Sequence, residues 1–279
     1  MAIRAGTPFM FASLGEIFNE KSGVINVGLE GVMLIGAFAG FVANFYSGNL
    51  WIGVCGGMIA GIIASSIHGF ISINLKAPQI ISGMALTIFG GGITAFLGKS
   101  FIGVPSTSFE PLAGGLTPLI FIAILAYPLS SFILIKTKFG MEVTATGENP
   151  EAADSAGVNV FLIRYICIII GGAMAGIAGA YISLDYSPMW REGAIAGRGW
   201  ISLALVYFSM RKPSIALIGS FLFGTLWILQ FRLQGLGFGI SPYLLMMIPY
   251  FATILSLSFL SAKKIKVGIP KALGKPYSR

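Results

Sequence analysis

Phe161–Leu184 reads FLIRYICIIIGGAMAGIAGAYISL, 24 residues with one charged side chain, Arg164, near its start. A helix needs about 20 apolar residues to cross the roughly 30 Å hydrocarbon core of a bilayer. This stretch is long enough, and runs of the same kind recur on both sides of it. Towards the N-terminus lie Ala2–Phe18, Gly28–Tyr46, Leu50–Phe70, Gln79–Leu97 and Thr117–Ile135. Towards the C-terminus lie Trp200–Met210, Ile215–Phe231 and Pro242–Leu260. The expected fold is therefore all-α, a polytopic transmembrane helical bundle of about nine membrane segments. The first and seventh are short or polar enough to be broken or partial spans.

Composition agrees. Of 279 residues, 56% are hydrophobic and 10% charged, with a mean hydropathy of +0.87. Soluble domains carry about 25% charged residues, so this chain cannot clothe itself in a water-compatible surface. The 38 glycines fit a lipid setting as well. The net charge of +8 does not point to nucleic acid, because a third of the Lys and Arg crowd a terminal tail, residues 262–279. These are Lys263, Lys264, Lys266, Lys271, Lys275 and Arg279, and a basic tail after an apolar run reads as a cytoplasmic anchor. Cys55 and Cys167 lie inside apolar runs and imply no disulfide framework. The N-terminus has no clear cleavage site, so no removable signal peptide is expected.

With the tail inside and the spans alternating, Lys21, Lys76, Lys136, Lys138, Arg164, Arg211 and Lys212 join it on the inner side. Only Arg4, Lys99, Arg191, Arg198 and Arg232 fall outside. That asymmetry obeys the positive-inside rule and places the N-terminus outside. Small residues repeat at four-residue spacing, as at Gly36 and Gly40, at Gly53, Gly57 and Gly61, and at Gly172 and Gly176. The spacing puts them on one helix face, where backbones approach closely.

One polar insertion, 137–160, interrupts the single membrane domain 1–279 on the expected inner side. Within it Asn149 suits a helix N-cap and Pro150 the first helical position. Glu151 and Asp154 set negative charge near the positive helix end, and Gly157 suits the residue just past the C-terminus. Such a helix is too short to stand alone. Its small residues Ala152, Ala153 and Ala156 suit close packing against a neighbour.

Ionisable groups at membrane depth are costly and tend to mark function. Glu16 and Glu30 flank Asn19–Leu29, where the helical pattern breaks. Irregular backbone at that depth must be buried in protein or line water. Asn26 and Glu30 thus either line a translocation path or belong to an ordinary loop. Gly197-Arg198-Gly199 is likewise either a broken helix entering from outside, with Arg198 on the path, or a plain loop. Catalytic motifs fail. Gly98-Lys99-Ser100 follows Gly92 with one residue too many for a phosphate loop. His68 is the single histidine, and no metal-ligand cluster appears. The chain is therefore expected to be no enzyme and to hydrolyse no ATP itself.

Three blocks carry a family resemblance. The first is Thr7-Pro8, Leu14-Gly15-Glu16 and Lys21–Gly31. The second is Gly147-Glu148-Asn149-Pro150-Glu151-Ala152-Ala153 with Gly157. The third is Gly197-Arg198-Gly199-Trp200-Ile201 with Leu203-Ala204-Leu205. Together they resemble the permeases of the branched-chain amino acid, ribose and nucleoside class of ABC importers, and most of all the smaller permease subunit of nucleoside or simple-sugar systems. The resemblance implies a permease that forms the pathway for nucleosides or simple sugars, with Gly147–Ala153 and Gly157 coupling it to a separate ATPase. It implies as partners an ATP-binding subunit carrying ATP and Mg, a second homologous permease chain and an extracellular solute-binding protein, with no cofactor on this chain. It also implies a multi-pass place in the plasma membrane. Relatives often carry an acidic residue near Pro78 and an Asn near Thr87, so the solute preference here is expected to differ. The resemblance also implies a further first helix in longer relatives, which is expected to be missing here, in keeping with an external N-terminus. The competing reading is a stand-alone secondary transporter of small polar solutes. Such carriers usually show intramembrane acid or histidine relays and paired broken helices, and no clear internal repeat is visible.

Overall fold

The computed structural model describes residues 1–112, 114–236, 241–262 and 268–278. Among them the chain forms twelve α-helices: α1 (Ala2–Lys21), α2 (Leu29–Ser47), α3 (Leu50–Gly69), α4 (Gln79–Gly98), α5 (Pro118–Lys136), α6 (Lys138–Glu148), α7 (Pro150–Ser155), α8 (Val160–Tyr181), α9 (Arg198–Phe208), α10 (Pro213–Gly235), α11 (Pro242–Met246) and α12 (Ile248–Ala262). Helices α3 and α8 each run on into a π-helical turn, at Phe70–Asn74 and Ile182–Tyr186.

Six helical stretches among the described residues are long and apolar enough to span a bilayer: Leu29–Ser47, Leu50–Asn74, Gln79–Phe101, Pro118–Lys136, Val160–Tyr186 and Pro213–Gly235. Each coincides with an expected segment. The other three expected segments take different forms. The first is α1, 20 residues long but studded with polar groups. The seventh is α9, of 11 residues. The last divides at Met247 into α11 and α12, whose stretch Ile248–Phe259 is apolar but shorter.

Local sequence sets the helix ends. Gly48, at φ +66°, closes α2 by donating its N–H to Asn44 O at 2.8 Å. Asn49 then opens α3, its side-chain oxygen accepting the N–H of Trp51 at 2.9 Å. This two-residue turn folds α2 back along α3. Asn159 caps α8 in the same way through the Leu162 N–H, and Pro118 and Pro213 occupy first-turn positions where their missing N–H costs nothing.

The core sits around α8, which packs against α1, α2 and α3. The glycine stripes read in the sequence build its seams. A methyl group placed on Gly36 would lie 2.6 Å from Gly176 Cα, so these two backbones touch without side chains between them. Polar α1 occupies the centre, between α8 and α10, with α9 and α5 alongside. Its residues from Ala5 to Glu20 are all buried. It is the outer helices that carry the apolar excess. Ile80, Ile88 and Phe96 of α4, Leu125 and Phe132 of α5, and Ile218 and Leu222 of α10 are exposed, as side chains bathed in lipid or covered by another chain must be.

Candidate coupling and gating site

Long-range bonds define the two ends of the bundle. At one end, Gly23 O accepts the N–H of Gly274, Gly147 O accepts the N–H of Ala272, and Arg164 bonds the carbonyls of Ser22 and Lys275. Tyr165 bonds Asn74, and Arg211 meets Glu20 at the same end. At the other end Arg4 reaches Asp185, Thr117 bonds Asp185, and Asn44 bonds Ser106. Lys21, Arg164, Arg211, Lys271 and Lys275 thus share one end, which is the basic one.

The insertion 137–160 lies at the basic end and holds two helices. Thr137 caps α6 by accepting the Gly140 N–H at 3.2 Å. Helix α6 is not legible in the local sequence pattern. Asn149 then caps α7 by accepting the Ala152 N–H at 3.1 Å, with Pro150 and Glu151 in the first turn, as their types require. Gly157 follows the helix at φ +87°, a conformation that favours glycine. Glu148, Asn149, Glu151, Ala152 and Gly157 are exposed. Ala153 is only 4% exposed and packs inward with Val160 and Tyr277 of the chain's own tail. Gly147 is buried so close against the Lys21 carbonyl that no side chain fits. The end of α6 thus packs directly against the end of α1.

Beyond α1 the backbone leaves the helix from Ser22 to Gly28, a shorter break than the expected Asn19–Leu29. Asn19 and Glu20 stay helical because protein, rather than water, partners their side chains. Asn19 donates to Glu16 Oε2 at 2.7 Å, and Glu20 Oε2 lies 2.6 Å from Arg211 Nε, a close charge contact buried on both sides. Asn26 sits in the break, 1% exposed. Its N–H donates to Glu16 Oε1 at 2.9 Å, and its side-chain oxygen accepts the Gly28 N–H at 3.0 Å, leading the chain into α2. His68 backs this region, one ring nitrogen against Ser82 Oγ and the other against Ile25 O, which is a structural placement.

Glu30 and Arg198 come together across the bundle, while Asn26 joins Glu16 instead. The Glu30 carboxylate, 7% exposed, accepts the N–H of Gly197 at 2.8 Å and of Gly199 at 2.7 Å. It caps the positive N-terminus of α9 with charge-assisted bonds. Gly199 must be small, because a methyl group there would lie 2.6 Å from Glu30 Cα. The Arg198 guanidinium turns back to the carbonyls of Ala194 and Ile195, at 3.1 and 2.9 Å, and stacks 4.0 Å over Trp227. Gly197-Arg198-Gly199 is therefore the start of a helix, with Gly197 at φ +84° ahead of it.

Between α3 and α4 lies a cavity of about 390 Å³, walled by Ile67, Ile71, Ile81 and Phe89, with His68 and Ser82 at its back. Among the described residues no group of three or more His, Cys, Asp or Glu could hold a metal ion.

Residues 1–257 match the family described as the branched-chain amino acid transport system permease component. Three relatives are similar along nearly their whole length. The provisionally named glucose ABC transporter permease protein TsgC13 of Haloferax volcanii is 38% identical, over 99% of this chain and 96% of its own. The nucleoside ABC transporter permease protein NupC of Lactococcus lactis is 34% identical, over 97% and 93%. The guanosine ABC transporter permease protein NupQ of Bacillus subtilis is 33% identical, over 97% and 92%. No solved structure matches. A match of this extent, on an all-helical membrane bundle, makes the chain a member of the branched-chain amino acid transport permease family, a multi-pass transport component of the cell membrane rather than an enzyme.

Proposed function

We propose that this chain is the permease subunit of an ABC importer for simple sugars or nucleosides. The similarity to sugar and nucleoside permeases over nearly the full chain carries the reading. A separate ATP-binding subunit, which holds ATP and Mg, drives the cycle. A second homologous permease completes the pathway, and an extracellular solute-binding protein delivers the solute. The basic end faces the cytoplasm, because Lys and Arg retained there obey the positive-inside rule. The N-terminus is then outside and the tail inside.

In this reading Gly147–Ala153 and Gly157 form the coupling element. A push on α7 passes through Gly147 to Lys21 and the break at Ser22–Gly28, and from there to α2. Asn26, Glu30 and Arg198 flank the path from its closed side. Glu30 latches α9 to α2, and release of the Gly197 and Gly199 N–H groups lets α9 swing. Glu30→Gln keeps the shape of the side chain but puts an amide donor against one of those N–H groups. Reconstituted with its partners in proteoliposomes, the variant is expected to assemble normally and to import labelled nucleoside or glucose at least tenfold more slowly, on the order of the effect of losing a charge-assisted bond. Wild-type rates for both Glu30→Gln and Asn26→Ala would remove this pair from the path. ATP-independent, gradient-driven uptake by the chain alone would overturn the importer reading.

A further inference from the structure

We propose that the C-terminal tail, Gly268–Ser278, forms half of the docking surface for the ATP-binding subunit and holds the coupling helix in position. The proposal rests on the importer reading above, and extends it to a segment that family resemblance does not single out. The tail returns to the bundle and is fixed there at several points. Ala272 N–H donates to Gly147 O at 2.9 Å, and Gly274 N–H donates to Gly23 O at 3.0 Å. Buried Arg164 donates to Lys275 O at 3.3 Å while its Nε, also at 3.3 Å, holds Ser22 O. Tyr277, 7% exposed, packs on Ala153 and Val160, with its ring 5.6 Å from that of Phe161.

A six-residue helix cannot hold its own position. The inward face of α7 is its Ala153 side, and the tail covers that face together with Val160 at the start of α8. The tail thus bonds the two backbone segments through which a push on α7 reaches α1, and it also covers the one buried residue of α7.

The tail and the coupling helix enclose a recess of about 270 Å³ at the basic end. Glu148, Asn149 and Glu151 line one wall, and Lys271, Lys275 and Ser278 line the other. All six are exposed, and the recess is mainly polar. Carboxylates facing ammonium groups across a solvent-open recess present both signs of charge to an incoming surface. That suits a water-soluble protein partner and does not suit lipid. The recess is continuous with the proposed coupling element, so its occupant is the ATP-binding subunit.

The test uses the full-length permease, purified in detergent, and the purified ATP-binding subunit of the same importer with Mg·ATP. Binding is read by pull-down and stimulation by ATP hydrolysis. Lys271→Glu with Lys275→Glu changes only exposed side chains, and is expected to leave membrane insertion and thermal stability unchanged while weakening binding about tenfold. Tyr277→Ala frees the tail from α7, and is expected to lose stimulation more than binding. Wild-type binding and stimulation in both variants would overturn the role of the tail and leave the importer reading standing. A wild-type permease that fails to bind the ATP-binding subunit would overturn both.

Discussion

Arg211 and Glu20 lie 191 positions apart in the sequence, and each looks like an ordinary charge at a loop edge. Folding buries them together at 2.6 Å. Removing one partner of a buried pair leaves an uncompensated charge and costs about 3–5 kcal/mol, whereas replacing both with apolar groups costs far less. Arg211→Met is therefore expected to lower the thermal unfolding temperature sharply, and Glu20→Met with Arg211→Met to recover most of the loss. Equal destabilisation in the single and double variants would contradict pairing. Gly176 makes a second residue-scale case. A methyl group on it would run into the Gly57 carbonyl and lie 3.1 Å from Gly61 Cα, so Gly176→Leu forces α3 and α8 apart. Overpacking of that kind costs about 1–3 kcal/mol or more, and the variant is expected to lose yield of folded protein in detergent chromatography. The four-residue glycine spacing was legible in the sequence; which helix each glycine meets was not.

Helix α7 shows how far local rules reach at the scale of an element. Its cap, first-turn proline and terminal glycine follow from residue type, and all three stand where the sequence placed them. Asn149→Ala is expected to cost about 1 kcal/mol of local stability through the lost cap. Faster amide exchange confined to α7 is the readout; exchange unchanged there would mean the cap contributes nothing. Helix α6 was missed because Gly140, Thr144 and Thr146 weaken its helix signal. It forms against α5 and α8, which is tertiary support that a local reading cannot see. The α1 break is shorter than the local pattern predicts for the same reason: Asn19 and Glu20 look like loop residues until their partners Glu16 and Arg211 are in place.

Orientation belongs to the whole molecule. Ser108 lies in the connection between α4 and α5, and Ser155 in α7; both are exposed. In a background with Cys55 and Cys167 replaced, single cysteines at the two sites are expected to react with an impermeant thiol reagent from opposite sides of the membrane, Ser155→Cys from the cytoplasm. Labelling of both from one side would refute the alternation of spans. Hydropathy alone established the all-helical membrane bundle and marked about nine apolar segments, because about 20 apolar residues in a row leave a chain no other stable solvent than lipid; which six are long spans the helix boundaries decided. Residue type alone established the caps of α7, since they depend on neighbours within three or four positions. What hydropathy could not establish is that the most polar segment, α1, lies at the centre. Nor could it show that Glu30 of α2 caps α9, or that the tail lies on α7. Each depends on a polar group finding its partner more than a hundred residues away. In a low-dielectric interior an unpartnered group is expensive, so the partner, and not the local sequence, decided where these segments rest.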